Sequence, residues 1–144
     1  VARGYPDFFG ASTFPGYGLL QRSVRNPIMI VAGDTQMLHD IICKGHLFNG
    51  FINVDSPTGI TGCIIRLTVD GQVLANEDPI DNAKVVYPVH NNILRCIYLD
   101  FDSLVYYVSI RQDIVFGYRC LVEIIAPPAD NIMAYSLLHY YIIQ

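Results

Sequence analysis

The stretch HDIICKGH brings the imidazoles of His39 and His46, the carboxylate of Asp40 and the thiol of Cys43 within eight residues. Such groups bind a borderline metal or form a thiol–imidazole pair, provided that they converge. On a strand, His39 and Cys43 share a face but stand about 13 Å apart, too far for one ion; on a helix their four-residue spacing would bring them together. The strand agrees better with the neighbouring segments, so no metal, cofactor or catalytic residue is assigned. Asp100 and Asp102, following Asn91 and Asn92, make an oxygen-rich stretch that calcium could use, although local backbone hydrogen bonds at strand ends explain the same letters. Glu77, Asp78 and Asp81 beside Pro79 read as a solvated acidic turn. The acids inside strand-like runs are Asp40, Asp113 and Glu123, and their approach to one another is not written in the sequence. No GxSxG, phosphate-loop, GxGxxG or HExxH string occurs. The expectation is a protein without enzymatic activity.

Cys43, Cys63, Cys96 and Cys120 are 20, 33 and 24 residues apart, which matches no zinc spacing and is sparse for a disulfide framework. Buried free thiols are the favoured reading. The 144 residues fit one domain, 52% hydrophobic but only 15% charged, against about 25% charged in ordinary soluble domains. Part of this thinly charged surface is therefore expected to be covered by other subunits or by neutral polar and tyrosyl groups. Ten Tyr and seven Phe exclude a disordered chain, and no apolar run reaches the length of a membrane span or follows a basic leader.

The elements that must position these groups divide into an arm, 1–27, and a body, 28–144. The arm contains Gly4, Gly10, Gly16 and Gly18, with Pro6, Pro15 and Pro27, and shows no sustained period. Its rings, Tyr5, Phe8, Phe9, Phe14 and Tyr17, are costly to leave in water, so the arm is expected to lie extended on its own body or on a neighbouring subunit. Arg3, Arg22 and Arg25 against Asp7 give it +2, leaving -6 on the body. These five rings and three arginines are the candidate interface residues. Three arginines on an acidic protein neutralise few phosphates, so nucleic acid is not an expected partner.

Period two dominates the body. GCIIRLTVDGQVL places Cys63, Ile65, Leu67 and Val69 on one face and Ile64, Arg66 and Thr68 on the other, with a tight turn at Asp70-Gly71. NILRCIYLDFDSLVYYVSI forms a second hairpin turning at Asp100 to Ser103. DIVFGYRCLVEII reads as one strand with Ile114, Phe116, Tyr118, Cys120, Val122 and Ile124 on a single side. IMAYSLLHYYII reads as a last strand with room for a bulge, and a short terminal helix is the alternative. DTQMLHDIICKG could form a helix capped by Asp34; as a strand it sets His39, Ile41 and Cys43 against Leu38, Asp40 and Ile42. In the pairs Tyr106-Tyr107 and Tyr140-Tyr141, one ring would enter the core and the other face outward. Some eight to ten strands predict an all-β, antiparallel β-sandwich, of jelly-roll type, with an extended N-terminal arm.

The VDG turn, the DFDSLVYYVSI strand and DIVFGYRCLVEI followed by a polar turn and a tyrosine-rich strand together resemble the jelly-roll auxiliary or decoration proteins of tailed bacteriophage virions, over residues 60–142. The resemblance implies a non-enzymatic virion subunit whose arm binds adjacent copies or a major capsid protein, as a homo-oligomer such as a trimer. Carbohydrate-binding sandwiches look similar, which makes a carbohydrate-binding or receptor-binding module the alternative. Neither implies a membrane partner.

Overall fold

The computed structural model describes residues 17–83, 93–111 and 114–143, and these form ten strands and one short helix. In chain order they are β1 (Tyr17–Ile30), β2 (Thr35–Ile41), β3 (Gly45–Asp55), β4 (Ile64–Val69), β5 (Gln72–Glu77), α1 (Pro79–Ala83), β6 (Leu94–Asp100), β7 (Val105–Ile110), β8 (Val115–Phe116), β9 (Cys120–Ile125) and β10 (Ile132–Ile143). The larger sheet has the order β1-β10-β3-β7-β6, with β8 on the stretch of β3 that β7 leaves open; the smaller has the order β2-β9-β4-β5. Every pairing is antiparallel. The pairs β1/β10, β2/β9, β3/β7 and β4/β5 are nested, so the chain runs as one long hairpin folded into two sheets.

Alternation of side chains explains the core. On β4, Ile65, Leu67 and Val69 are buried while Ile64, Arg66 and Thr68 are half-exposed, and β7 buries Tyr106, Val108 and Ile110 in the same way. Side chains from both sheets share one apolar cluster. The β4/β5 turn is the expected one: Asp70 and Gly71 both have positive φ, 51° and 80°, which a two-residue turn of the type I′ kind requires. The second hairpin, β6/β7, also turns where expected, and the strand reading of residues 35–41 and 132–143 holds, including a register shift at His139/Tyr140.

Four local expectations differ from the structure. Residues 17–27, read as arm, belong to the sheet, because β1 starts at Tyr17. As an edge strand β1 has one side without a ladder, and its register shift between Arg25 and Ile28 takes in Pro27, the setting in which a strand tolerates proline. The run 114–125 is two strands: β8 pairs with β3 in the larger sheet and β9 with β2 and β4 in the smaller. At the crossing, Gly117, Tyr118 and Arg119 donate backbone N–H groups to the Asp70 carboxylate at 2.7, 2.8 and 2.9 Å, and Tyr118 points outward rather than into the core. A register shift between Met37 and His39 places Leu38 and His39 both inside, where strict alternation would have separated them. The acidic turn at 77–81 holds α1, with Asp78 accepting N–H groups from Ile80 and, across the fold, Gly62.

Candidate interaction surface

The two sheets present different outward faces. On the larger sheet the registers define three outward rows: Met29, Met133, Asp55, Val105, Asp100; then Tyr135, Asn53, Tyr107, Tyr98; then Val24, Leu137, Phe51, Ser109, Arg95. The middle row has no charged side chain. Tyr98 stacks on Tyr107 with ring centroids 5.0 Å apart and planes at 30°, and Tyr107 meets Phe51 at 5.5 Å. These rings shield one another, yet Tyr98, Met29 and Val24 remain exposed. Within the same face Asn53 Oδ1 is shut off from solvent without a hydrogen-bond donor. A buried acceptor left unpaired is costly, so this amide weakens the fold where it stands.

The outward face of the smaller sheet carries paired charge instead. Arg119 donates from Nε and Nη2 to Asp40 at 2.7 and 3.0 Å, and Arg66 lies 3.7 Å from Glu123 while its Nε donates to Asn76. Met37 and Val73 are exposed on the same face. Among the described residues no strand of either sheet carries a lysine, the residue that most often blunts sheet edges against pairing.

The residues of HDIICKGH separate. His39 enters the core at 2% exposure, Asp40 faces outward to Arg119, and among the described residues no three His, Cys, Asp or Glu side chains gather where an ion could sit. His39 lies between two serines, with Nδ1 2.8 Å from Ser23 Oγ and Nε2 2.7 Å from Ser136 Oγ. Ser136 donates to the Phe51 carbonyl at 2.9 Å, so its oxygen accepts from Nε2–H and leaves Nδ1 to accept from Ser23. Burial, reinforced by the Arg25 charge, lowers the pKa of His39 to about 4. The imidazole is a neutral pin joining β2 to β1 and β10. Asp100 caps its turn, accepting N–H groups from Asp102 and Ser103, and those bonds hold its carboxyl below the ordinary range. All four cysteines are free; burial raises Cys63 and Cys120 to about 12.

Of the expected interface residues, Arg3, Tyr5, Phe8, Phe9 and Phe14 lie outside the described residues. Tyr17 opens β1 opposite Ile143, and Arg22 is exposed in register with His139. Arg25 pairs in register with Ser136, its Nε buried without a hydrogen-bond partner, so this arginine reaches toward the core and not outward. Tyr106 is fully buried with Tyr107 outward, as the pair pattern requires, while Tyr140 packs on Phe116 and Tyr141 on Phe48. The sequence reading did not isolate Phe51, Tyr98, Tyr107 and Tyr135 as a group. Their signal was that β7 and β10 are apolar or aromatic on both faces, a pattern unsuited to a sheet with one wet side. No family model matches the chain and no curated protein is significantly similar to it. Among the described residues no helix is long and apolar enough to cross a membrane.

Proposed function

We propose that the chain is a non-enzymatic structural subunit of a virion, an assembly or capsid-decoration protein that forms homo-oligomers, trimers included, through its N-terminal arm and its sandwich, and that can seat on a major capsid protein. The observation that carries this reading is the contrast between the two outward faces: charge-paired on the smaller sheet, aromatic and neutral in its middle row on the larger. Aromatic residues with few charges compose the centre of protein interfaces, and Tyr98, Met29 and Val24 stay exposed on this face. The jelly-roll assignment is supported by the nested pairs β1/β10, β2/β9, β3/β7 and β4/β5, eight strands in two four-stranded layers, with β6 and β8 as additions.

Size-exclusion chromatography with light scattering tests the reading. The expected mass is a multiple of 16.1 kDa that persists on dilution to micromolar protein. A chain that is monomeric at every concentration, and whose larger-sheet face can be charged without altering its behaviour, would refute it. The stacked, part-exposed Tyr98 on Tyr107 favours a second reading, a carbohydrate-binding or receptor-binding module in which a sugar face packs on the ring. Reproducible binding on a glycan array that is lost in Tyr98→Ala would support that alternative.

A further inference from the structure

We infer that the outward face of the β1-β10-β3-β7-β6 sheet is the seat of a second copy of this chain, and that residues 1–16 of that copy complete the contact. The inference rests on the assembly reading and names its surface and occupant. Five strands at about 4.8 Å spacing are about 24 Å wide, and the seven β3 residues from Asn49 to Asp55 run about 23 Å, so the face offers about 550 Å². A stable interface buries about 800 Å² on each partner, and the flat face alone falls short. Tyr5, Phe8, Phe9 and Phe14 at about 150 Å² each more than close that gap.

The arm has the reach and the composition for this place. It enters at Tyr17, opposite Ile143 at one end of the edge strand, and sixteen residues extend up to about 50 Å, twice the width of the sheet. Laid on its own face, it would cover the rings and leave the assembling copies too little area. Its four large rings match a face whose middle row is uncharged, and Arg3 can meet Asp55 or Asp100 at the rim. The ion-paired face of the smaller sheet would instead have to surrender Arg119–Asp40 and Arg66–Glu123 to an apolar strand.

Photo-crosslinking of the full chain tests the inference. Phe8→p-benzoylphenylalanine and Phe14→p-benzoylphenylalanine are irradiated in the assembled state, the products separated on a denaturing gel and the crosslinked peptides sequenced. The expected product has twice the chain mass, with links into β3, β7 or β10; Tyr107→Glu, outward and free of the core, should weaken self-association about tenfold or more while circular dichroism stays unchanged. Links confined to the monomer band, links into the outward face of β4 or β9, or unweakened association of Tyr107→Glu overturn the inference and leave the assembly reading standing. A chain monomeric at every concentration overturns both.

Discussion

Lowering the pH from about 7 to about 4 should strip the fold of about 3 kcal/mol through a single side chain, His39. The imidazole is 2% exposed and both of its nitrogens are engaged, Nδ1 by Ser23 and Nε2 by Ser136. Its pKa falls from the ordinary 6.5 to about 4, chiefly because a cation there would lose its hydration, with Arg25 adding repulsion. Above pH 6.5 both native and unfolded chains hold it neutral, and it makes stability independent of pH. Between 6.5 and 4 the unfolded chain binds a proton that the native chain refuses, so stability falls as pH falls, by up to about 1.4 kcal/mol per pH unit. Below 4 both forms are protonated and the loss levels off. Asp70 and Asp100, both lowered by backbone N–H donors, act in the adjacent window, their contributions being lost only as pH drops below the ordinary carboxylate value of 3.8.

Urea unfolding at several pH values between 7 and 4 measures this, at one protein concentration so that assembly does not shift the transition. Tyrosine emission or far-ultraviolet circular dichroism reports the unfolding, since the chain has ten Tyr and no Trp. His39→Gln supplies the control: an amide can accept from Ser23 and donate to Ser136 but does not titrate, so the variant should lose about 1–2 kcal/mol at neutral pH and keep a nearly flat profile down to about pH 4.5. If the parent chain is itself flat to within about 1 kcal/mol over this range, or if His39→Gln retains the parent slope, the burial argument for His39 is wrong.

Gly50→Ala should destabilise by about 1–3 kcal/mol, because a Cβ at that inward position would lie 2.7 Å from Ile110 Cβ and 2.9 Å from its Cδ1; a urea midpoint equal to the parent's would show that β7 yields freely. Asp70→Ala should lower the melting temperature and accelerate hydrogen exchange at the amides of residues 117–119, which lose their common acceptor, and unchanged protection there would contradict the pinning of the β8–β9 crossing. Cys63 and Cys120 should resist alkylation at about pH 8 in the folded protein and react on unfolding, as thiols held far from their reactive form, with the half-buried Cys43 and Cys96 modified first; mass spectrometry of the labelled peptides decides the order.

Much of the fold was legible because β-sheet packing writes a period of two into the chain. Cys63, Ile65, Leu67 and Val69 alternate with polar or half-exposed neighbours, Asp70-Gly71 has the chemistry of a tight turn, and both signals are local. What local pattern could not show was where the period breaks. Gly117 to Arg119 are held out of a continuous strand by a carboxylate some 47 residues away in sequence, and that hydrogen bond exists only once the β4/β5 hairpin and the β8–β9 crossing meet. The same is true of the slip that turns both Leu38 and His39 inward, and of the edge position that lets Pro27 sit within a strand.

The residues themselves determined that this is an antiparallel β protein, rich in aromatics, thinly charged and without a local catalytic string. Tertiary structure decided which aromatics act together. Phe51, Tyr98, Tyr107 and Tyr135 come from four strands whose adjacency follows from the nested pairing, and their rows exist only after register is set. It decided, too, that His39 is a neutral pin in the core while Asp40, one residue on, pairs with Arg119 in the open. Side-chain type is a property of one position, but a face, a pocket or a shifted pKa is a property of the several chain segments that burial brings side by side.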